Sequence, residues 1–356
     1  MNNGNIVNDF RIKQSLETIQ KLLTNKNKII ITSHLGRPTE GVYEESLSLK
    51  PICKYLSALL ERDIKFFNSY RDNMNFEDYE IAMLENVRFN TGEKSSNSDL
   101  SKAYASLADY FVFDAFGVAH RKESSTFGVS EYLKTYPGLN ISNEIHTINQ
   151  LIHEDSRPMT IIISGAKVST KLIVIQKLLA KCDFMILGGG ILNTFLKAKG
   201  NEIGNSLYEE DLVNEAKNIL SSDFSSKIIF PIDLSCESEL KPKNIDVSNI
   251  SKNDIIFDVG EKSLEHIKSI INKSAAIFWN GPLGYVEKEP FDRGTIELAK
   301  IIAEHNCFSI IGGGDTLPII ENLNLQSQFS CLSTGGGSLL TYLEGGDLPI
   351  LGKLDL

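Results

Sequence analysis

The sequence predicts an α/β protein whose parallel sheets are covered by helices on both faces. Short apolar runs rich in β-branched and aromatic residues recur along the chain, and most of them show no alternation of apolar and polar positions. Such runs are typical of strands that are buried on both faces. Amphipathic helices alternate with these runs, and the first has apolar residues at Ile12, Leu16, Ile19 and Leu23. This alternation indicates parallel α/β sheets.

Each apolar run is assigned to one strand, and the helix before the first strand is predicted to begin after Asn8 and Asp9, which are residue types that cap helix N-termini. The predicted strands lie at residues 29–32, 64–67, 81–84, 110–113, 160–163, 184–187, 228–232, 275–279 and 308–311.

Length and turn signals predict two domains. The chain has 356 residues, which is enough for about two domains of ordinary size. Tyr136, Pro137 and Gly138 form a turn signal, and residues 143–153 are predicted to be a connecting helix. We therefore expect a first domain at residues 1–140 and a second domain from residue 141 onward.

Composition excludes several classes of protein. Hydrophobic residues make up 42% of the chain and charged residues 23%, which excludes a mainly disordered protein. The net charge of −10 opposes general electrostatic binding to nucleic acid. The five cysteines form no CxxC pair, so neither a zinc site nor a disulfide framework is predicted. The polar beginning and the lack of a long apolar run lead us to expect a cytoplasmic protein without a membrane partner.

Basic residues follow three predicted strands of the first half, at the point where each strand ends. The segments concerned are 33–38, 85–89 and 114–121. Together they carry three arginines and two histidines, namely Arg37, Arg88, Arg121, His34 and His120. Ligands of parallel sheets bind beyond the carboxyl ends of the strands, and arginine is suited to carboxylate and phosphate. With Arg11 at the start of the first helix, these residues predict an anion pocket. The histidines could act as general bases or as neutral hydrogen-bond donors to a carboxylate or hydroxyl group of the ligand. We favour the second role, in which they bind the ligand.

Glycine follows the strands of the second half. Residues 164–171 contain a glycine turn and two lysines, Lys167 and Lys171, which share one face if a helix begins there. Backbone amides at such a turn, a helix N-terminus and lysine charges all favour phosphate. The segments 188–190 and 312–316 repeat the glycine pattern.

Two further signals accompany these glycine segments. Asp315 is suited to holding Mg²⁺ beside phosphates, although an aspartate there could instead cap a helix. Residues 279–282 together with Glu287 could line a nucleoside pocket, the alternative being a packed turn and a solvated acid.

Several nucleotide and hydrolase motifs are absent from the sequence. It has no GxxxxGK[ST], no GxGxxG after the first strand, no HRD or DFG set and no GxSxG. A nucleotide-type site in one domain and an anion pocket in the other remain, and they predict phosphoryl transfer with domain closure to exclude water.

The order and spacing of the motifs resemble phosphoglycerate kinase, as an N-terminally short and divergent member of that family. The resemblance covers nearly the whole chain and includes residues 202–207 and 343–345. The segments that carry it are 33–38, 84–89, 114–121, 165–171, 188–190, 279–287, 312–316 and 333–337.

The resemblance implies a monomer of two Rossmann-like domains joined by a hinge helix. It divides the rest of the chain into a nucleotide-binding domain at residues 141–338 and a C-terminal tail at 339–356 that returns to the first domain. The implied glycolytic reaction passes a phosphoryl group reversibly between 1,3-bisphosphoglycerate and MgADP. The implied partners are 3-phosphoglycerate, ATP or ADP and Mg²⁺, with no nucleic acid.

Site residues are carried over by position in the same way. The residues implied to hold 3-phosphoglycerate are Arg11, His34, Leu35, Gly36, Arg37, Arg88 and Arg121. Those implied to serve the nucleotide are Gly165, Lys167, Lys171, Asn280, Glu287, Gly312, Gly313, Gly314, Asp315 and Thr316, with Asp315 on the metal. Arg11, Lys167, Gly313 and Gly336 would stabilise the transferring phosphoryl group. No general base is needed, because the attacking group is a carboxylate.

Four departures from the family pattern accompany the resemblance. The family usually begins with a strand carrying Arg-Val-Asp-x-Asn-Val-Pro, and this sequence starts after it, so we expect unpaired neighbouring strand edges. Thr170 stands where aspartate is usual, with Ser164 replacing a glycine. Lys122 and Glu123 replace alanine and histidine, and Leu339 replaces a serine. A kinase for a different acyl phosphate and a catalytically weak nucleotide-binding paralogue therefore remain alternatives.

Overall fold

The computed structural model describes residue 6, residues 8–152 and residues 157–354. The chain divides into two compact units: unit 1 comprises Met1–Ile145 with Asp347–Leu356, and unit 2 comprises His146–Gly346. Residues 339–346 thus belong to unit 2. His153, the predicted end of the connecting helix, and the last two residues of the tail lie outside the described residues.

The α-helices and β-strands alternate along much of the chain. The helices are α1 (Phe10–Thr24), α2 (Lys50–Leu60), α3 (Ser98–Ala105), α4 (Leu139–Ile152), α5 (Leu172–Lys181), α6 (Gly189–Ala198), α7 (Val213–Leu220), α8 (Glu261–Ile271), α9 (Arg293–His305), α10 (Leu317–Asn322) and α11 (Gly337–Leu343). The strands are β1 (Ile29–Ile31), β2 (Ile64–Phe67), β3 (Ile81–Leu84), β4 (Phe111–Phe113), β5 (Thr135–Pro137), β6 (Met159–Ser164), β7 (Phe184–Gly188), β8 (Ile228–Ile229), β9 (Asp233–Ser238), β10 (Lys241–Asp246), β11 (Ile255–Val259), β12 (Ala276–Asn280), β13 (Phe308–Gly312) and β14 (Cys331–Ser333). None of the helices in these described ranges is long and apolar enough to cross a bilayer.

Unit 1 contains a parallel sheet with the strand order β1-β3-β2. Its central strand β3 is buried along its whole length. Ile81 packs with residues of α1 and α2, whereas Ala82 and Leu84 pack in a second cluster with residues of α3. Helices therefore cover both faces of the sheet, which confirms the expectation drawn from the unalternating apolar run.

A second, two-stranded parallel sheet of unit 1 pairs β4 with β5. The turn predicted at residues 136–138 was wrong for its first two residues, which lie in β5; proline is tolerated there because it ends a strand at the edge of the sheet. Asp114, directly after β4, accepts hydrogen bonds from Thr18 Oγ1 at 2.5 Å and from the N–H of Ile141 at 2.9 Å. A Cβ atom at Gly138 would lie 2.3 Å from the Asp114 carboxyl carbon, so this junction requires glycine.

Unit 2 is centred on a six-stranded parallel sheet with the order β14-β13-β12-β6-β7-β8. Strands β6 and β12 lie in the middle and are completely buried. Of the nine predicted strands, eight agree with the structure to within one residue at each end. The exception, predicted at 228–232, ends at Ile229, two residues before Pro231, which cannot donate a backbone hydrogen bond.

Unit 2 also contains an antiparallel sheet that the sequence analysis did not predict. Its order is β10-β9-β11, and β10 is a largely exposed edge strand rich in lysine. The signal of β9 and β10 was weak because these strands carry many polar residues and little apolar periodicity, whereas the apolar run of β11 was overlooked. Strand β14, which is three residues long, was missed as well.

None of the five cysteines forms a disulfide bond with another described residue. Burial raises the pKa of Cys53 and Cys307 to about 11 and that of Cys182 and Cys236 to about 12. These thiols therefore behave as small apolar side chains.

The packing of β12 yields a stability prediction. Phe278 is fully buried in this central strand, so Phe278→Ala should lower the free energy of unfolding of unit 2 by about 3–5 kcal/mol. The measurement is urea unfolding followed by the fluorescence of Trp279, the one tryptophan of the chain, which is also fully buried. Ile173→Ala, at a side chain that is 60% exposed in the same unit, is the control and should change stability by less than about 0.5 kcal/mol. Equal effects of the two substitutions would contradict the assignment of β12 to the core.

Candidate functional site

The loops after β1 and β3 in unit 1 are held together by Asn86. Its side-chain oxygen accepts a hydrogen bond from the N–H of Arg88 at 3.1 Å and so caps the short helical turn Val87–Phe89. Its amide nitrogen donates to the carbonyl oxygens of Leu35 at 2.8 Å and Leu47 at 3.0 Å. A buried asparagine with these partners fixes the position of Arg88 relative to the loop after β1.

Arg88 is buried and makes contacts with both neighbouring loops. Its Nη1 donates to the carbonyl oxygen of Gly36 at 2.9 Å, and its Nη2 donates to Glu123 Oε1 at 3.0 Å. Its Nε has no hydrogen-bond partner among the described residues. Arg121 Nη1 lies 3.3 Å from the same Glu123 oxygen. One buried carboxylate thus joins two of the predicted arginines.

These residues line an open pocket of about 480 Å³ in unit 1. The lining consists of Arg37, Arg88, Lys94, Arg121, Lys122 and Glu123. The structure therefore brings together three of the predicted arginines. Five cations surround the pocket against one acid, and this excess of positive charge suits a small anion.

His34 lies beside this cluster as a neutral imidazole. Its pKa is lowered to about 4, first by burial and then by the positive charges of Arg88, Arg121 and Arg11, against the opposing effect of Glu123. His34 is therefore a neutral hydrogen-bonding group at physiological pH. Arg11 itself is exposed near the start of α1. The pKa of His120 is also lowered, mainly by burial.

Leu35 and Gly36 contribute backbone to the site. Their carbonyl oxygens accept the hydrogen bonds from Asn86 and Arg88 described above. Gly36 has a φ of +65°, and a Cβ atom there would lie 2.6 Å from the Leu47 side chain. Glycine is therefore required where the loop turns past Arg88.

In unit 2, Lys171 is the centre of a second polar cluster. Its Nζ donates to the carbonyl oxygen of Ser164 at 2.5 Å and to Asn280 Oδ1 at 2.7 Å. Burial lowers the pKa of Lys171 to about 8, and the negative charge of Asp315 partly offsets this effect. The structure thus brings Lys171, Asn280 and Asp315 together at the carboxyl ends of β6, β12 and β13.

Lys167 lies in the loop before α5 and not in a helix shared with Lys171, as the sequence had suggested. Helix α5 begins at Leu172 with Lys171 as its N-cap, so the two lysines do not share a helical face. The loop before the helix is fixed by Glu209, whose carboxylate accepts the N–H of Ser169 at 2.8 Å and its hydroxyl at 2.7 Å. Because the chain is held in this loop, Lys167 is exposed at its surface.

The glycine segments leave backbone close to these side chains. A Cβ atom at Gly312 would lie 3.3 Å from Asn280 Nδ2, and Gly313 has a φ of +117°. At Gly314 and Gly336, in contrast, a Cβ atom would meet nothing within 4 Å. Gly312 and Gly313 are therefore constrained by packing, while Gly314 and Gly336 border open space.

The remaining nucleotide residues of the sequence analysis differ in exposure. Gly165 lies in the loop after β6, Thr316 is fully buried at the N-cap of α10, and Asp315 is exposed. Thr316 Oγ1 has no hydrogen-bond partner within the described ranges. Glu287 is exposed in the turn segment after β12.

Comparisons with known proteins decide the family. The family model described as phosphoglycerate kinase matches residues 1–346. The chain belongs to the phosphoglycerate kinase family. A curated phosphoglycerate kinase of Francisella philomiragia is 42% identical, with 97% of this chain and 90% of that protein covered. One from Legionella pneumophila is also 42% identical, with coverages of 99% and 90%.

Solved structures of phosphoglycerate kinase family members agree with this assignment. The structure of phosphoglycerate kinase from Coxiella burnetii matches with a TM-score of 0.87 and 38% identity over 99% of this chain and 92% of that one. The enzyme from Pyrococcus horikoshii also matches with a TM-score of 0.87, at 28% identity and the same coverages. The α/β fold with parallel sheets predicted from the sequence is confirmed.

Two pocket residues of this phosphoglycerate kinase family member were not expected to contact a ligand. Lys94 reaches the pocket from the loop after β3, where its Nζ donates to the carbonyl oxygen of Pro38 at 3.1 Å. No motif in the sequence marked it. Lys122 was visible only as a departure from the family pattern beside Glu123. Their positions depend on how loops distant in sequence meet.

The pKa of Lys171 generates a prediction about proton uptake. At pH 8.5 most Lys171 side chains are neutral, and phosphate oxygens favour the charged form, so binding of MgADP should take up a fraction of a proton approaching one. Arginine stays charged, so Lys171→Arg should show no such uptake. Calorimetry at pH 8.5 in two buffers of different ionisation enthalpy measures it.

At pH 6.5 Lys171 is already charged, and the difference between the two proteins should vanish. Equal proton uptake by the wild type and Lys171→Arg at pH 8.5 would show that Lys171 does not meet the phosphates.

Proposed function

We propose that the chain transfers a phosphoryl group reversibly between 1,3-bisphosphoglycerate and MgADP, giving 3-phosphoglycerate and MgATP. Its membership of the phosphoglycerate kinase family makes it a phosphotransferase. The observation that carries the proposal is the convergence of Arg37, Arg88 and Arg121 on one pocket of unit 1, where a small phosphorylated acid would find several cations.

Unit 1 would hold the acid. In this proposal Arg11, Arg37 and Arg121 supply charge, and Arg88 fixes the loop that carries His34, Leu35 and Gly36. The low pKa of His34 supports a role as a neutral hydrogen-bond partner. A neutral imidazole beside several guanidinium groups adds no further repelling charge, and its unprotonated nitrogen can still accept a hydrogen bond from a hydroxyl group.

Unit 2 would hold the nucleotide. The phosphates would lie against Lys167, Lys171 and the backbone of the glycine segments, and Asn280 and Glu287 would face the remainder of the nucleotide. The glycine and threonine positions assigned to this role are Gly165, Gly312, Gly313, Gly314 and Thr316. Their support is the clustering of Lys171, Asn280 and Asp315 beside Gly312 and Gly313.

The residues present fit Mg²⁺ held largely by phosphate oxygens. No group of three acidic, histidine or cysteine side chains in the described ranges could hold a metal ion by itself. Asp315 is an exposed carboxylate beside Lys171, and Mg²⁺ in kinase sites commonly binds one or two carboxylates, phosphates and waters. When bound, Mg²⁺ would neutralise the charge on the phosphates.

The proposed step needs no proton transfer. A carboxylate oxygen of 3-phosphoglycerate forms a bond to the γ-phosphorus of ATP while the bond from that phosphorus to the bridging oxygen breaks, leaving ADP. Arg11, Lys167 and backbone N–H groups near Gly313 and Gly336 would stabilise the charge on the phosphoryl group in flight. Because the attacking oxygen belongs to a carboxylate that is already deprotonated, the reaction requires no general base.

We further propose that the protein acts as a monomer in the cytoplasm and does not bind nucleic acid. The lack of disulfide bonds among the described cysteines supports a reducing compartment. The net charge of −10 opposes nucleic-acid binding. Light scattering at micromolar concentration tests the monomer.

The reaction is tested by the initial rate of ADP formation from MgATP with and without 3-phosphoglycerate, in a coupled assay that removes the acyl phosphate. We expect saturable turnover that depends on 3-phosphoglycerate. Turnover with another acid but not with this one would indicate a kinase for a different acyl phosphate. Binding of MgADP without turnover on any acid would favour a nucleotide-binding paralogue.

The role of Lys167 is tested by Lys167→Ala. We expect kcat to fall about 10²–10³-fold with a much smaller change in KM for MgATP, because the charge acts mainly in the transition state. Lys300→Ala is the control, since Lys300 is an exposed residue of α9 paired with Glu297. A variant Lys167→Ala with wild-type kcat would remove this assignment.

A further inference from the structure

Glu123 is an acid in a pocket whose other charged residues are all cations. Its side chain is only 7% exposed, and it lies against both Arg88 and Arg121. Each arginine therefore already has a carboxylate partner supplied by the protein. An anionic ligand that enters this pocket must therefore compete with the Glu123 carboxylate for Arg88 and Arg121.

The backbone around Glu123 fixes the acid at this position. The residues that follow, Ser124–Gly128, form a single turn of π-helix. The N–H of Ser124 donates to the carbonyl oxygen of Glu93 at 2.8 Å, and the Ser124 hydroxyl donates to that of Gly92 at 2.9 Å. A Cβ atom at Gly128 would lie 2.1 Å from Ser101 Oγ, so this turn packs closely against α3. Glu123 is therefore presented by a rigid segment.

The Glu123 carboxylate lowers the net charge of the pocket by one fifth. Arg37, Arg88, Lys94, Arg121 and Lys122 supply five positive charges, and Glu123 reduces the net value from five to four. Because Glu123 is buried, solvent and salt screen its charge less than they would screen that of an exposed acid. Its repulsion of a bound anion should therefore be felt across the pocket.

Glu123 also takes up the donors of Arg88. Nη1 of Arg88 donates to Gly36 and Nη2 donates to Glu123, so a ligand must compete with the Glu123 carboxylate for the Nη2 end of the guanidinium group. Arg121, which is 36% exposed, shares the same carboxylate oxygen at the longer distance of 3.3 Å. Arg121 is thus the arginine of this pair that a ligand would draw away from Glu123.

We propose that Glu123 sets the affinity of the unit 1 pocket for phosphorylated acids by acting as a built-in competitor for Arg88 and Arg121, weakening anion binding. This inference rests on the proposed function for its natural ligand, a phosphorylated hydroxy acid. Weaker binding favours release of the acid after each turnover, a step that limits many enzymes.

The test is Glu123→Gln, which keeps the size and the acceptor oxygen of the side chain and removes its charge. The dissociation constant for inorganic phosphate, measured by calorimetry at low ionic strength, should fall about five- to tenfold, and KM for 3-phosphoglycerate should fall with it. The kcat should not rise. A gain in affinity is a result that structural damage does not produce.

Glu80→Gln is the matched control. Glu80 is also a glutamate of unit 1 paired with an arginine, Arg62, at 2.8 Å, but the pair is exposed and precedes β3, at the opposite end of the strand from Arg88. It changes the net charge of the protein by the same amount. Glu80→Gln should leave the dissociation constant for phosphate and KM for 3-phosphoglycerate unchanged. This result would separate the effect of Glu123 from the effect of the protein's overall charge.

Phosphate affinity that is unchanged or weaker in a folded Glu123→Gln protein would overturn the proposal. Should that variant fail to fold, Glu123→His, which restores the residue usual in the family, takes its place with the same expected gain. Failure of both variants to fold would also overturn it, since Glu123 would then serve the fold. The phosphate titration needs no turnover, so an inactive wild type would refute the proposed reaction while the role of Glu123 is still decided.

Discussion

The strands of the two main sheets run parallel, so that the loops following their carboxyl ends leave each sheet at one edge. Both candidate sites depend on this constraint. In unit 1 it places the loops after β1 and β3 side by side, close enough for Asn86 and Arg88 to bond to Leu35 and Gly36. In unit 2 it places Ser164, Asn280 and Gly312 at the ends of neighbouring strands, within reach of Lys171.

Buried charge distinguishes these two sites. Isolated charges are costly to remove from water, and here each one has partners. Arg88 is bonded to a carboxylate and a carbonyl oxygen, whereas Lys171 is bonded to neutral oxygens and faces the charge of Asp315. The lysine therefore has the lowered pKa, and a phosphate arriving beside it would stabilise its charged form. The buried arginine of unit 1 is already paired within the protein, whereas the buried lysine of unit 2 would gain a full counter-charge from a bound phosphate.

The sequence predicted those strands whose burial on both faces requires a continuous run of apolar residues. The strands β3, β6 and β12 are apolar along their whole length because helices cover both faces of their sheets. Strands β9 and β10 carry no such run, since their polar residues belong to an antiparallel sheet with an exposed edge. Strand β5 was obscured by a proline that usually marks a turn.

The candidate site divides in the same way. Arg37, Arg88 and Arg121 were predictable because each follows a strand. The pairing of β1 with β3 brings together the loops that carry Arg37 and Arg88, whereas Arg121 follows β4 of the separate two-stranded sheet. The buried position of Glu123 and the approach of Lys94 were not, since they depend on contacts between loops. The arrangement of Lys167 and Lys171 was misjudged for a related reason: Glu209, about 40 residues away, holds the loop that delays the start of α5.

The environment of the cysteines has a consequence for the chemistry of the whole chain. Thiolates, rather than thiols, react with electrophiles and peroxides. With the pKa of Cys53, Cys182, Cys236 and Cys307 raised to between about 11 and about 12, the thiolate fraction at neutral pH is very small at these positions. The folded protein thus shields four sulfur atoms from alkylation and oxidation, and a reagent that attacks them reports unfolding rather than catalysis.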